Sequence, residues 1–297
     1  MLKPQIDVYM GCDAPFEEST TVLFGAPFDS TTSYRPGSRF GSSAIRRESY
    51  GIESYSPYQD KDLSDYAILD SGDLELPMGS SALALDAIQE RAAEILAAGK
   101  RPFLLGGEHL VTLGAFRAVF EKFPDVHIIH FDAHADLRDD YLGVQLSHAC
   151  VLRRCWELVG DGKIFQFGIR SGDREEWRWG RDHVSTHPFD LDTLEETVAE
   201  LGDKPVYFTV DLDVLDPSVF PGTGTPEPGG VSFEELRKAV TLVCQRANVV
   251  ACDVNELSRC NVVGCDVNEL SPPYDPSGVS NAVAAKVVRE MLLALEK

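Results

Sequence analysis

Three short apolar runs in this chain each stop at side chains that ligate metals, and that repetition limits the possible folds more than any other feature. The run at 126–131 is followed by Asp132, His134 and Asp136, a potential ligand at every second residue. In extended backbone, residues two apart point to the same side, so these three can converge on one point. The run at 206–210 ends in the same way at Asp211 and Asp213. The run at 102–105 continues into Gly106-Gly107-Glu108-His109, where the glycines permit a sharp turn that sets His109 at the strand's end. Three strand ends together offer six ligands.

Further strand-like runs at 21–26, 66–70 and 163–167 alternate with helical stretches at 42–49, 82–98, 110–120, 146–158, 191–201, 232–246 and 279–295. Gly99 stops the second of these helices, and Ser232 with Glu235 forms a capping-box pattern. The alternation predicts an α/β fold in three layers, a mostly parallel central sheet with helices on both faces. Ligands of such sheets sit at the carboxyl ends of the strands, where all three motifs fall. The polar loop 27–41 is long for a connection, and residues 29–39 are candidates for a pocket wall. Segment 168–188, which holds Arg170, Asp173, Arg174, Trp177 and Trp179, reads as a solvated excursion. The chain, 1–297, reads as a single domain.

A net charge of −21 opposes binding to nucleic acid or to an anionic membrane and suits cations, either metals or positively charged substrates. The seven cysteines are odd in number, show no C-x-x-C spacing and follow no secretory leader pattern, so a reduced cytoplasm is expected. No uncharged apolar run approaches the roughly 18 residues that a membrane helix requires.

Near the C-terminal end a segment is duplicated. Residues 248–258 and 261–271 agree at ten of eleven positions, differing only at Ala251 and Gly264. Two copies are too few for a solenoid, and only one can fill a single strand slot. If the first copy fills it, the second becomes an insertion at the carboxyl end, inside the site; if the second fills it, the first bulges at the opposite end. The second is the expected occupant, with a tandem hairpin or an added edge strand as other arrangements.

Six ligands, two imidazoles and four carboxylates, exceed what one catalytic metal with an open position uses, and they suit two metals sharing bridging carboxylates. Oxygen-rich coordination with some imidazole favours manganese over a structural zinc site. Two such ions lower the pKa of a shared water toward about 7 and so provide a hydrolase's nucleophile. Taken singly, each motif has a plainer explanation: His109 as a packing or capping residue, Asp211 and Asp213 as strand-end caps. His127 and His130 read as core histidines or as residues behind the ligands. His183 and His187 receive no role.

On these motifs the chain resembles the ureohydrolase family of arginases and agmatinases. Gly106-Gly107-Glu108-His109, Asp132-Ala133-His134-Ala135-Asp136 and Asp211-Leu212-Asp213-Val214-Leu215-Asp216-Pro217 match the family's three signatures, and the similarity runs from about Gly25 onward. The resemblance implies an arginase-like fold and two manganese ions, with Asp132 and Asp211 bridging, His109 and Asp136 completing one ion, and His134 and Asp213 the other. It also implies that Glu269, or its twin Glu256, binds the guanidinium and that His148 relays protons to the departing amine. The expected catalytic set is His148, Glu269 and Asp136. Leu137-Arg138-Asp139-Asp140-Tyr141 is more like agmatinases than arginases, so the expected reaction is agmatine to putrescine and urea. For guanidinobutyrate or guanidinopropionate, Arg138 or Arg35 would meet the carboxylate. Thr209 stands where the family usually has serine. A homo-oligomer, trimer or hexamer, is expected by the same likeness. The duplication raises a second reading, a metal-binding homologue with impaired turnover and a structural or regulatory role.

Overall fold

The computed structural model describes residues 7–246 and 261–296. In chain order these form β1 (Thr21–Gly25), α1 (Gly41–Ser49), the two-residue strands β2 (Tyr55–Ser56) and β3 (Lys61–Asp62), β4 (Ile68–Asp73), α2 (Ser81–Ala97), β5 (Arg101–Leu105) and α3 (Val111–Lys122). They continue with β6 (His127–Phe131), α4 (Val151–Val159), β7 (Ile164–Ile169), α5 (Arg174–His183), β8 (Ser185–Pro188) and α6 (Leu194–Leu201). β9 (Pro205–Asp211), α7 (Phe233–Arg246), β10 (Asn261–Asn268) and α8 (Val279–Leu295) complete the order.

Eight strands form one sheet in the order β4-β1-β5-β10-β9-β6-β7-β8, and every neighbouring pair is parallel. Side chains alternate between two cores as the strand period requires. Phe103, Leu105, Ile129, Phe131, Phe208 and Val210 enter one core, while Leu104, Ile128 and Tyr207 enter the other. Helices α6, α7 and α8 close the first face, and α2, α3 and α4 close the second. Phe131 meets Phe167 and Phe208 edge-on at 5.8 and 5.0 Å, contacts worth about 0.5–1.5 kcal/mol each beyond area burial. This is the three-layer α/β architecture, and its central sheet is parallel throughout.

The strand order creates the site. From β5 the chain crosses to β6 and leaves two slots open, which the later strands β9 and β10 fill. The carboxyl ends of β5, β10, β9 and β6 are therefore adjacent although their sequence positions are far apart. At such a reversal of strand order a crevice opens above the sheet.

Segment 168–188 departs from the expected excursion: it contains α5 and the edge strand β8. Asp173 caps α5 by accepting from the backbone N–H groups of Glu175 and Glu176, and Glu176 accepts from the Asp173 N–H. This Asp-x-x-Glu capping box is present in the sequence, but few apolar residues come after it. The expected capping box at Ser232 and Glu235 forms at the start of α7.

The second copy of the duplicated segment supplies β10, paired with β5 and β9. The first copy, 248–258, lies outside the described residues. Gly264, the one residue at which the copies differ, passes beneath α3: a Cβ there would lie 3.0 Å from Val119 Cγ2 and 3.2 Å from the Tyr207 ring. Neither neighbour yields easily. Val119 is buried and β-branched, and the Tyr207 hydroxyl is held by Asp266 Oδ2 at 2.6 Å. Gly264→Ala should therefore lower stability by about 1 kcal/mol, overpacking outweighing the smaller gain from a stiffer unfolded chain. Urea unfolding checks this, and the double variant with Val119→Ala should lose less than the two single losses added together.

Candidate metal centre and active site

Each ligand-bearing loop is shaped by its own backbone. After β5, Gly107 runs so close to Phe28 that a Cβ would sit 2.0 Å from its carbonyl oxygen, which excludes any other residue. The Glu108 N–H donates to that same carbonyl at 2.7 Å, and the turn delivers His109 to the sheet's edge, almost fully buried. At the end of β6, the His134 N–H donates to Asp132 Oδ1 at 2.6 Å, and Asp136 adopts φ +53. At the end of β9, Asp211 accepts from the Asp213 N–H at 2.9 Å. These local bonds turn both motifs inward.

All six expected ligands meet. His109 Nδ1 lies 3.1 Å from Asp132 Oδ2, 3.0 Å from Asp136 Oδ2 and 3.5 Å from Asp211 Oδ2. His134 Nδ1 lies 3.0 Å from Asp213 Oδ2 and 3.5 Å from Asp132 Oδ1. Asp132 thus presents one oxygen to each half. His109 Nδ1 is buried and makes no hydrogen bond, so a lone pair faces three carboxylate oxygens. Only a cation or a shared proton reconciles those four atoms.

The groups behind the ligands fix the tautomers. His109 Nε2 lies 2.9 Å from Thr209 Oγ1, which itself donates to Asp266 Oδ1 at 2.6 Å. With its proton spent on Asp266, the threonine accepts from Nε2–H and leaves Nδ1 open, the arrangement of a metal-ligating histidine. Gln166 Nε2 donates to the Ala135 carbonyl and lies 3.0 Å from His130 Nδ1, so His130 turns Nε2–H toward Asp132 Oδ2 at 2.8 Å. His130 therefore orients Asp132 from behind. His127 is core, stacked on Phe165. His187 stacks on Phe167, and His183 packs on Trp179 away from the centre.

Above the ligands a cavity of about 310 Å³ is walled by His148, Glu269, Tyr141 and Ser33. Ser33 belongs to the loop expected as a wall. Glu269, at φ +65, accepts from the His109 N–H at 2.7 Å, so this carboxylate is fixed against the first ligand. His148 is anchored by its N–H to Thr31 Oγ1 at 3.0 Å. Thr31 in turn donates from backbone and hydroxyl to the buried Glu108. Glu256 lies outside the described residues. The contributions of Thr31 and Gln166 are not signalled by their own positions in the sequence, and only the topology brings them together with Glu108 and Thr209.

The electrostatics arise from crowding. Burial and then the Asp132 charge push Asp136 up to about 7. Asp211 is raised by burial and by Asp213 and Asp132, and Glu269 by burial and Glu108. Burial opposes charge on His109 and His134, but the neighbouring carboxylates outweigh it and raise both. Burial also opposes charge on Asp132, but the three histidines that face it, His109, His130 and His134, outweigh burial and hold this carboxyl well down. Burial, then His134, lowers His148 to about 4.

Among the described residues, two groups bring potential ligand atoms together, His109 with Asp132 and, behind them, His130, and Asp132 with His134 and Asp213. Fold and site together define a parallel α/β protein with a candidate metal centre at its strand ends. The Arginase family pattern matches residues 19–259 and 256–294, its break falling within the duplicated stretch. An agmatinase of Bacillus anthracis is 44% identical over 293 residues, covering 98% of this chain and 97% of the relative. A solved structure from Clostridium difficile is 49% identical with a TM-score of 0.89, covering 95% of this chain and 98% of the other. The agmatine ureohydrolase of Thermoplasma volcanium is 33% identical with a TM-score of 0.87, covering 98% and 94%. The chain belongs to the arginase family and is an agmatinase-like ureohydrolase.

Raised carboxyls make the metal-free protein sensitive to alkali. Asp136, ordinarily near 3.8 and here about 7, binds its proton more tightly folded than unfolded. That stabilisation is complete below pH about 4 and lost by about 7, and the raised histidines add a loss in the same direction above their ordinary 6.5. Metal-free protein should therefore melt at a lower temperature at pH 8 than at pH 6. Added manganese should raise the pH 8 melting temperature more than the pH 6 one, as calorimetry at both values would show.

Proposed function

We propose that this ureohydrolase cleaves agmatine to putrescine and urea with two manganese ions. The observation that carries the reading is the pair of half-sites sharing Asp132 beneath a cavity that also holds Glu269. The open Nδ1 of His109 and the oxygen-rich donor set fit such ions. His109 and Asp136 would hold one, His134 and Asp213 the other, with Asp132 and Asp211 between. When bound, divalent ions in such a centre lower the pKa of water toward about 7 and so supply the nucleophile.

The chain's own residues do the rest. Glu269 has one oxygen fixed by the His109 N–H, and its carboxylate accepts from the planar guanidinium fork, presenting the carbon to the centre below. The amine leaves only when it gains a proton. His148, held uncharged on the cavity wall, carries that proton between solvent and the leaving nitrogen. Asp136, which lines the cavity beside the centre, would accept a proton released there.

The far end of the substrate meets a mouth with surplus negative charge. Arg138 Nε lies 3.2 Å from Glu176 and its Nη1 3.4 Å from Asp173, so its charge is already matched. Arg35 lies over the rings of Tyr34 and Tyr274 at 5.0 and 5.3 Å. A terminal ammonium suits this wall better than a carboxylate does, which favours agmatine over guanidino acids. Cytoplasmic residence accords with buried thiols at Cys12, Cys150, Cys155 and Cys265, and a trimeric or hexameric assembly accords with the family likeness.

Manganese-reconstituted protein should release urea from agmatine and far less from arginine or guanidinobutyrate. Glu269→Gln should cut kcat/KM by about 100-fold or more while retaining metal, whereas Glu256→Gln should leave it unchanged. No urea from any guanidino compound, despite about two bound ions per chain, would favour the impaired homologue with a structural or regulatory role.

A further inference from the structure

We infer, on the basis of the two-ion reading, that Arg170 is a positioning residue that clamps together the two loops forming the His134 and Asp213 half of the centre. Just beyond β7, the N–H groups of Arg170 and Ser171 both donate to the Ala133 carbonyl, at 2.8 and 2.9 Å, and Ser171 pairs with His134. The backbone of Arg170 is thereby tied to the loop after β6.

Its side chain is tied to the loop after β9. The guanidinium donates to the carbonyls of Asp213 at 2.8 Å, Val214 at 3.2 Å and Leu215 at 3.4 Å, and to Glu227 at 2.7 Å and Pro228 at 3.2 Å. Leu212–Val214 is a single 3₁₀ turn, whose last carbonyls have no partner inside the turn. A planar fork with five N–H donors can meet them and span to residues 227–228 at once; a lysine ammonium, with three donors on one atom, cannot.

The packing leaves no slack around this clamp. Gly168 sits at φ +81, where a Cβ would come 2.7 Å from Val214 Cγ2 and 3.2 Å from the Asp132 carbonyl oxygen. The end of β7 is thus wedged between both ligand-bearing loops. Because Asp213 contributes both a carbonyl to the clamp and Oδ2 to His134, a shift of its backbone moves the ligand atom directly. The Arg170 guanidinium itself donates to no residue of the loops that carry His109 and Asp136.

The test is a manganese titration followed by calorimetry on wild type, Arg170→Lys and Arg170→Gln, with circular dichroism to confirm folding. Wild type should bind in two steps. Both variants should retain one step and weaken the other by roughly 10- to 100-fold, the range for losing a residue behind a metal ligand. Two unchanged steps, or equal loss of both, would overturn the clamp while leaving the two-ion reading intact; a single step or none in wild type would overturn both. Hydrogen exchange of metal-free wild type gives a second measurement that does not depend on variants folding. Residues 213–216, 168–171 and 227–231 should be protected as one unit, and independent exchange of the three segments would equally reject the clamp.

Discussion

Carboxyl groups packed at the ends of three adjoining strands are the constraint on which the rest of this structure depends. Asp132, Asp136, Asp211, Asp213 and Glu269 are all buried within one small volume. Two like charges about 4 Å apart repel by about 4 kcal/mol at an effective dielectric near 20, and mutual repulsion adds to burial in raising Asp136, Asp211 and Glu269. Histidines alone offset part of this, since His109 and His134 each face more than one carboxylate. The sheet, the glycine turns and the buried hydroxyls make the arrangement persist where isolated loops would splay apart. Asp136 and Glu269 also hold left-handed backbone that non-glycine residues rarely adopt, strain that the surrounding fold sustains.

The support is arranged in depth. Thr209 links His109 to Asp266, and Asp266 also accepts from Tyr207 and Asn268, so one buried carboxylate gathers donors from β9 and β10. Gln166 performs the corresponding task for His130 and Asp132 from β7. His109 and Asp132 are therefore each held through side chains of strands other than their own. A parallel sheet suits this, because adjacent strands end at the same level and their side chains can buttress one another.

Most of the architecture and the meeting of the six candidate ligands are legible in the sequence because both are written locally: apolar runs of strand length, period-two Asp and His residues and Gly-Gly before His109. The illegible part depends on neighbours distant in sequence. Thr31 and Glu108 are separated by 77 positions, and Thr209 and His109 by 100. Nothing in the composition of either partner marks the pairing. The segment with α5 escapes a sequence reading for a different reason. Its charged residues hide an amphipathic helix whose few apolar contacts include Trp177 and Trp179 against the second core. Arg138, a candidate carboxylate receptor by sequence, is instead paired with Asp173 and Glu176 of that same region.

The duplicated segment shows how little chemistry is needed to choose between two nearly identical strands. Both copies carry Asp-Val-Asn-Glu-Leu-Ser at the end that would meet the ligands, so the site itself gives no preference. The choice rests on packing and on the residues C-terminal to each copy. Gly264 fits beneath Val119 and Tyr207 where the alanine of the other copy would press on both. The second copy also runs directly into its anchor: the Ser271 N–H donates to the Gly222 carbonyl at 2.7 Å, and residues 272–274 turn immediately afterwards. Were residues 248–258 to occupy the slot, thirteen residues, 259–271, would have to be accommodated between Ser258 and Pro272, at the very end where the cavity opens. With the second copy in place the extra length precedes the strand, away from the ligand-bearing end, and Glu269 reaches the His109 N–H without a detour.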